Sequence, residues 1–409
     1  MATLLAPDLK DPGLYEAGVP WEAFATLRRE DPVHWNPESD GAGFWAVIRH
    51  ADIVEVSRQP SVFSSAHENG GHRIFNENEV GLTGAGDSAI GIPFISRDPP
   101  VHTRYRKFIM PALSPVRLGD IEARIRARAT RLIAAIPLGE PIDLVPTLAA
   151  PLPLMTLAEL LGVSGDLWPR LYDWTNAFVG EDDPEFRQSP EAMAATLGEF
   201  FAFAQELYAA RRAVPTEDIA SLLANAEIEG EPVPFRDFVA NLILVLVGGN
   251  ETTRNSLSHS VAAFSLNSTQ WRAIRDDRSL LRTAAPEMVR FASPVMHMRR
   301  TAMQDTMIGS RKIARGDKIV LWYISGNRDE SVFPDADRFD VTRRGAQHVG
   351  FGAGQHVCVG SRLAEMQLRV AFDILAERVT SFEVQAPPRR FRSNFINGLK
   401  NLDVILRPA

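Results

Sequence analysis

The 409-residue chain has little that could cross-link it, export it or carry it through a membrane. Its single cysteine, Cys358, excludes an intrachain disulfide and cysteine-rich zinc sites. An uncharged run at residues 144–158 contains three prolines and is shorter than the roughly 20 apolar residues of a membrane span. The first 13 residues carry acidic side chains and prolines where an export signal needs a basic start and an unbroken apolar stretch. We therefore expect a cytoplasmic protein with no membrane anchor.

The charge balance and composition exclude several broad classes of protein. Acidic side chains outnumber basic ones by 51 to 44, which disfavours binding to nucleic acid or to an anionic membrane. Apolar residues make up 45% and charged residues 23%, as in folded globular proteins. No repeat, low-complexity tract or Gly/Ser linker marks a domain boundary. We expect residues 1–409 to form a single domain.

Apolar residues recur at three- and four-residue spacing in several long stretches, which is the helical period. Runs rich in Val, Ile, Trp and Phe are few and short. The sequence therefore predicts a mainly α-helical protein with small β-sheets (α+β). Predicted helices cover residues 118–136, 191–212, 235–267, 280–291 and 361–379, and predicted strands cover 43–49, 318–325, 382–385 and 402–406. Two long polar segments, 64–96 and 328–355, have the length of functional lids or binding loops.

The only cysteine lies in a glycine-spaced turn, residues 351–360, directly before the predicted helix that begins at 361. Gly352, Gly354 and Gly360 permit positive φ, so backbone amides can turn toward the sulfur, and the helix N-terminus favours an anion. Both effects favour a thiolate over a thiol. A thiolate with no second cysteine suits a metal held mainly by something else, such as haem iron with an axial cysteine. A buried structural thiol is the alternative interpretation.

The predicted helix at 235–267 contains two adjacent glycines, each of which costs about 1 kcal/mol relative to alanine. Thr252 lies four residues after Gly248, so its hydroxyl can bond back to the Gly248 carbonyl and bend the helix. The bend and the missing side chains would open a pocket. Glu251 and Thr252 would then place a carboxylate and a hydroxyl beside it, as proton delivery requires. The alternative is a core helix with a close glycine contact and a solvated Glu251.

Two of these segments resemble motifs of the cytochrome P-450 family. Residues 351–360 match every fixed position of its haem-binding signature, Phe-Gly-x-Gly-x-His/Arg-x-Cys-x-Gly. Residues 248–253 are similar to its oxygen-activation motif, with Gly248 and Glu251 where many members have Ala and Asp. The resemblance implies the family's fold, a triangular helical prism with haem b between the glycine-containing helix and the cysteine-loop helix.

The same resemblance assigns roles to these residues. It implies that Cys358 is the metal ligand and that Phe351 packs near its sulfur. It places Gly352 and Gly248 against the haem as well. Thr252 and Glu251 are the implied catalytic residues of a monooxygenase that uses O2.

A third motif concerns a predicted buried ion network. Glu287 and Arg290 resemble the family's Glu-x-x-Arg pair, and residues 333–339 match the segment that contributes a third member, Arg338. The resemblance implies that these three side chains support the cysteine loop. Spacing alone would make the pair an ordinary surface contact.

The haem propionates require cationic or N–H partners, for which arginine forks and histidines are the usual choice. His102 and Arg106 resemble the family's His-x-x-x-Arg clamp on one propionate. Arg300 resembles the strand arginine that contacts the other, with His356 beside it. A solvated surface charge is the alternative for each residue taken alone.

Family positions that face the substrate pocket map onto apolar residues, which predicts a lipophilic substrate. The candidates are Leu244, Val245, Val295, Met296, Phe94, Phe178, Phe395 and Ile396, with His297 as a polar neighbour. Each could instead be plain core. Residues 249–256 resemble bacterial subfamilies that oxidise alkyl chains, fatty acids, terpenoids and sterol side chains, and aromatic compounds are a further candidate class. We expect the segment 64–96 to gate entry.

The chain has no flavin or nicotinamide motif, so the resemblance implies electrons from a separate ferredoxin and ferredoxin reductase. We expect a monomer. Basic residues could form a positive patch for the acidic partner, or simply a solvated helix face: Arg104, Lys107, Arg124 and Arg128.

Two alternatives from other classes stay open at this point. The first is a haem-thiolate sensor without turnover, which would have no need of the proton-delivery motif at 248–253. The second is a haem-free cysteine hydrolase with Cys358 as nucleophile and His356 or His348 as base.

Overall fold

The computed structural model describes residues 6–39, 41–74, 90–345 and 347–409. In chain order its α-helices are α1 Trp21–Glu30, α2 His50–Ser57, α3 Val101–Ile109, α4 Pro115–Ala134, α5 Pro151–Leu160, α6 Trp168–Val179, α7 Pro190–Ala213, α8 Ile219–Ala224, α9 Phe235–Leu266, α10 Ser268–Asp276, α11 Leu281–Ala292, α12 Tyr323–Gly326 and α13 Ser361–Arg378. Its strands are β1 Val33–Asn36, β2 Phe44–Val47, β3 Phe63–Ser64, β4 Pro141–Asp143, β5 Glu227–Ile228, β6 Glu231–Pro232, β7 Met298–Ala302, β8 Thr306–Ile308, β9 Arg311–Ile313, β10 Lys318–Leu321, β11 Val379–Val384 and β12 Asp403–Pro408.

The predicted long helices are confirmed as α4, α7, α9, α11 and α13, with ends within three residues of the predicted ones. The strand predicted at 318–325 is wrong in its second half, because β10 ends at Leu321 and α12 follows. Residues 318–325 are all buried, and a continuous buried run has no period that separates strand from helix. The same reason explains why α5 was not predicted: it is buried on nearly all sides.

Helix α9 runs through the helical body and is about 48 Å long at 1.5 Å per residue. It packs against α5, α6, α11 and α13. Helix α13, which follows the cysteine loop, packs against α4, α9 and α11 through buried residues that include Leu368, Phe372 and Leu375. The glycine-containing helix and the cysteine-loop helix are therefore direct neighbours.

A five-stranded sheet in the order β1-β2-β10-β7-β3 lies beside the helical body. Strands β2 and β10 are parallel, and the other neighbours are antiparallel. The register places Arg300 on β7 opposite Ile319 on β10. A second sheet has the order β11-β12-β4. Among the described residues, no helix is long and apolar enough to cross a membrane.

Candidate functional site: the cysteine loop and the helix that faces it

Two glycines with left-handed backbone turn the cysteine loop. Gly352 has φ of 71° and Gly354 has φ of 65°. A Cβ at Gly354 would also lie 2.1 Å from the Ser57 carbonyl oxygen at the end of α2, so only glycine fits there. The Cys358 amide donates to the Phe351 carbonyl at 2.8 Å and closes the turn. The positive φ expected at Gly360 is wrong: φ is −92°. Its carbonyl accepts from the Ala364 amide at the start of α13, at 3.0 Å, and its amide hydrogen-bonds to the sulfur.

The Cys358 side chain is accessible to solvent, yet protein surrounds the thiol closely enough to desolvate it. Burial raises the pKa of the thiol, while the Gly360 amide and the nearby Arg106 guanidinium lower it. Burial prevails, so the expected thiolate preference of the protein alone is wrong. The sequence shows the amides and the helix end but not the depth of the loop. A metal cation at the sulfur would deprotonate the thiol, so a single accessible thiol fits an axial haem ligand.

Four basic side chains predicted as propionate partners lie together. The His102 and His356 rings are 4.0 Å apart. Burial, followed by the charges of Arg106 and Arg300, lowers the pKa of His102 to about 4. Burial, followed by Arg300 and His102, lowers the pKa of His356 to about 2. His102 Nδ1 and His356 Nε2 are buried with no hydrogen-bond partner. Two neutral histidines with unused ring nitrogens beside two arginines fit the carboxylates of a haem.

Sequence reasoning missed two residues of this cluster. Burial raises the pKa of Tyr323, whose hydroxyl interacts with Ser57 and Arg300 and so helps to orient that guanidinium. His72 is buried against Ser96, with its Nδ1 2.7 Å from the hydroxyl, and burial followed by the charges of Arg73 and Arg300 lowers its pKa to about 3. Tyr323 lies in the run predicted as strand, so the pattern gave no signal for it.

Helix α9 leaves open space on the face predicted to carry the pocket. Thr252 Oγ1 donates to the Gly248 carbonyl at 2.7 Å, as the four-residue spacing predicts. Gly248 is exposed although it lies mid-helix, and a Cβ there would meet no atom within 4 Å. Leu244 and Val245 are partly buried one turn earlier. These residues form one wall of the space.

Glu251 does not share that space. Its side chain is fully buried, and Arg254 Nη2 donates to its Oε2 at 2.5 Å. Asn250 Nδ2 donates to the other carboxylate oxygen at 3.1 Å. Burial raises the pKa of Glu251 and Arg254 opposes that shift. Successive helical residues point about 100° apart, so Thr252 faces the open side while Glu251 faces α6. The solvated Glu251 considered from the sequence is wrong.

The buried ion network is present with a different third member. Arg290 donates two hydrogen bonds to Glu287, from Nε to Oε2 at 2.7 Å and from Nη2 to Oε1 at 2.9 Å. The second cation on Glu287 is Arg343, whose Nε lies 3.2 Å from Oε2. The expectation for Arg338 is wrong: its side chain is exposed and only its carbonyl accepts from Arg290, at 3.2 Å. A turn at Asp340 carries the chain back, so the later arginine reaches Glu287.

The network is joined to the cysteine loop through one asparagine. Arg290 Nη1 donates to the Asn327 carbonyl at 2.6 Å. The Asn327 side chain accepts from the Val349 amide at 2.8 Å, two residues before Phe351. The network therefore fixes the start of the loop that carries Cys358.

Comparison with known proteins agrees with this geometry over nearly the whole chain. The model of the family described as Cytochrome P450 matches residues 267–406. The chain is 71% identical to linalool 8-monooxygenase from Pseudomonas putida, over 98% of this chain and 99% of that protein. The chain belongs to the cytochrome P450 family.

Solved P450 structures share the fold. Cytochrome P450-153 from Novosphingobium aromaticivorans superposes with a TM-score of 0.85 at 32% identity, covering 98% of this chain and 99% of that one. A Mycobacterium marinum cytochrome P450 in complex with pseudoionone has a TM-score of 0.85 at 32% identity, covering 94% of each chain. The protein is thus a haem-thiolate monooxygenase, and membership implies haem and O2.

Membership of the P450 family excludes the interpretation of the chain as a haem-free cysteine hydrolase. Within the described parts of the chain, no hydrogen bond joins the Cys358 thiol to His348 or His356. His348 Nδ1 accepts instead from the Gly350 amide at 3.1 Å. The thiol therefore has no general base, which a cysteine nucleophile would need.

The predicted pocket residues of this P450 differ in burial and in what they pack against. Val295 is partly buried and forms an isolated β-bridge with Ile396. Met296 is 1% exposed and packs in a separate core with Phe24 and Trp322, so its position is that of a core residue and not of a pocket wall. The remaining candidates are each less than 10% exposed: Phe94, Phe178, Phe395 and Ile396. The predicted entry segment 64–96 is described only in part, because residues 75–89 lie outside the described residues.

The basic patch suggested for a redox partner is partly neutralised. Arg104 pairs with Glu229 at 2.5 Å, and Arg124 and Arg128 both pair with Glu159. Lys107 is exposed. No local pattern in the sequence predicts these ion pairs, because each acid lies more than 30 residues from its arginine.

Proposed function

We propose that this P450 inserts one atom of O2 into a C–H bond of a terpenoid, with linalool as the first candidate substrate. The observation that carries the proposal is the 71% identity to a linalool 8-monooxygenase over 98% of the chain. The apolar side chains of Leu244 and Val245 beside the open face of α9 suit such a ligand, because a pocket of this kind binds a small branched hydrocarbon by burial.

The cofactor we propose is haem b, held without covalent attachment. Thioether attachment requires a Cys-x-x-Cys-His motif, whereas this chain has one cysteine. Cys358 would be its ligand, and His102, Arg106, Arg300 and His356 would hold its carboxylates. When bound, the haem supplies reductive activation of O2, which a thiolate ligand promotes.

Thr252 is the residue we propose to hold a proton at the open face of α9. Its hydroxyl donates to the Gly248 carbonyl and is partly exposed to the space. In Thr252→Ala, protons should arrive without order, so reducing equivalents should appear as peroxide and less product should form. Thr252→Ser keeps the hydroxyl and should stay coupled. Tight coupling in the alanine variant would reject this role.

We propose that the electron donor is a ferredoxin, which is itself reduced by a ferredoxin reductase. We also propose that the P450 is a monomer. A surface pocket of about 360 Å³ lies against Phe351, and exposed Arg282 and Arg344 are among its lining residues. Exposed Arg362, at the start of α13, is close to Cys358 in the sequence. These cations would attract an acidic ferredoxin near the cysteine loop.

Charge reversal tests this docking surface. Arg344→Glu should slow electron transfer and reduce its dependence on ionic strength, while Lys312→Glu, on β9, serves as a matched exposed control. Equal effects of the two variants would count against the surface.

The substrate class is tested by spectral titration of the purified haem protein. Linalool and related terpenoids, steroids, fatty acids and aromatic acids are titrated in parallel, and products are identified for each ligand that shifts the ferric haem band. The proposal predicts the tightest binding and an oxygenated product with a terpenoid. A shift and product only with another class would reassign the substrate and leave the reaction class intact.

A further inference from the structure

The chemistry proposed above does not account for the burial of Arg254 on α9. Its side chain is about 1% exposed and forms an ion pair with the fully buried Glu251 three residues earlier. An ion pair taken wholly out of water gains little stability, because desolvation offsets the attraction. A packed apolar pair would serve the fold as well, so stability alone does not account for this ion pair.

Arg254 connects three parts of the fold at this point. Its Nη1 donates to the Asn176 side chain on α6 at 3.2 Å. Its guanidinium lies over the rings of Tyr172, also on α6, and Phe391 in the segment before β12, at 5.5 Å and 5.3 Å. The orientation of Arg254 is therefore set by α6 and the C-terminal segment, and Arg254 in turn sets that of Glu251.

The Glu251 carboxylate is held on both oxygens. Arg254 takes Oε2, while the Asn250 amide takes Oε1 and also donates to Thr175 Oγ1 on α6 at 2.9 Å. Two atoms of the network, Arg254 Nε and Asn250 Oδ1, are buried without a hydrogen-bond partner. A network with unused polar atoms has alternative bonding arrangements available to it.

We propose that Arg254 is a positioning residue for the monooxygenase reaction: it holds the Glu251 carboxylate ionised against α6 and so makes Glu251 able to act in proton delivery. This inference rests on the proposed function and adds to it a residue outside the acid–alcohol pair. Because Glu251 is fully buried and its Oε2 accepts from Arg254, the orientation and the charge of its carboxylate are those that Arg254 fixes.

The test compares Arg254→Met, Arg254→Lys, Glu251→Gln and the double variant Arg254→Met/Glu251→Gln as haem proteins. Ser258→Ala is the control, because its hydroxyl donates to the Arg254 carbonyl on the same helix without touching either charge. Arg254→Met should lower the kcat for product about 100-fold, as for loss of a proton-transfer group, with substrate affinity within about twofold. Arg254→Lys should retain intermediate activity.

The decisive comparison is the double variant. If Arg254 acts through Glu251, Arg254→Met/Glu251→Gln should be no slower than Glu251→Gln alone. Full additivity of the two losses would overturn the proposal. The double variant also removes the unpaired buried charge, so it remains informative if Arg254→Met does not fold.

Infrared spectroscopy gives a readout that needs no turnover. The Glu251 band, identified by its absence in Glu251→Gln, should be that of a carboxylate in the native protein and of a carboxylic acid in Arg254→Met. An unchanged band, wild-type turnover of Arg254→Met, or normal turnover of Glu251→Gln would each overturn the proposal. Failure of the proposed function is distinct, because the native protein itself would then form no oxygenated terpenoid.

Discussion

The buried network under the cysteine loop allows a graded test of three arginines. Arg290 donates to both Glu287 oxygens and to the carbonyls of Asn327, Ala336 and Arg338. Arg290→Met leaves Glu287 buried with a broken pair, which costs about 3–5 kcal/mol. A typical total stability is about 5–15 kcal/mol, so this variant should be largely unfolded or free of haem under mild stress.

The other two arginines should differ sharply from one another. Arg343 keeps one ion pair to Glu287 and donates to the Pro334, Asp335 and Arg338 carbonyls, so Arg343→Ala should cost about 1–3 kcal/mol. The exposed Arg338 side chain takes no part, so Arg338→Ala should stay within about 0.5 kcal/mol.

Urea unfolding followed by circular dichroism measures all three variants at equal haem loading. The midpoints should fall in the order Arg338→Ala, Arg343→Ala, Arg290→Met, with equal dependence on urea. Glu287→Met/Arg290→Met should recover part of the loss, because no charge pair is then broken. A midpoint for Arg338→Ala as low as that for Arg343→Ala would refute this reasoning.

Three further predictions concern two positions in the cysteine loop, Gly248 on α9 and the largely buried His259. Gly354→Ala should disrupt the loop and the haem spectrum, because the new Cβ would lie 2.1 Å from the Ser57 carbonyl oxygen. Gly360→Ala should retain the haem spectrum, because its Cβ would lie 4.0 Å from the Cys358 sulfur. Equal spectra of the two variants would contradict the geometry. Gly248→Ala should be tolerated and gain up to about 1 kcal/mol, whereas Gly248→Leu should lose the substrate-induced spectral shift by filling the space; an unaltered shift in the leucine variant would place the pocket elsewhere. Burial lowers the pKa of His259 to about 3. As pH falls below about 6.5, the histidine therefore takes up a proton in the unfolded chain but not in the folded protein. The free energy of unfolding should fall on acidification, by about 2 kcal/mol at pH 5. His259→Gln should therefore lose less stability than the native protein between pH 7 and pH 5, and an identical loss in urea titrations at the two pH values would be evidence against a neutral buried His259.

The parts of the structure that the sequence predicted are those set by local spacing. The 3.6-residue period placed α9 and α13 nearly to their ends, and the bond from Thr252 to Gly248 follows from a four-residue separation on one helix. The loop motif around Cys358 likewise contains its own turns, because Gly352 and Gly354 supply the positive φ.

What the sequence did not predict depends on how distant segments meet. Arg343 replaces Arg338 in the ion network because of the path of the chain after Phe339. The thiol pKa follows the depth of the loop, which no local pattern reveals. The orientation of Glu251 is set by Asn176 and Phe391 through Arg254, at separations of 78 and 137 residues along the chain.

The most direct test of the central claim is the spectrum of the reduced, CO-bound protein before and after Cys358→Ala. We expect a thiolate-ligated haem spectrum in the native protein and its loss in the variant, with unchanged far-ultraviolet circular dichroism. A native protein that takes up no haem, or a variant that keeps the thiolate spectrum, would contradict the assignment of Cys358 and of the site built around it.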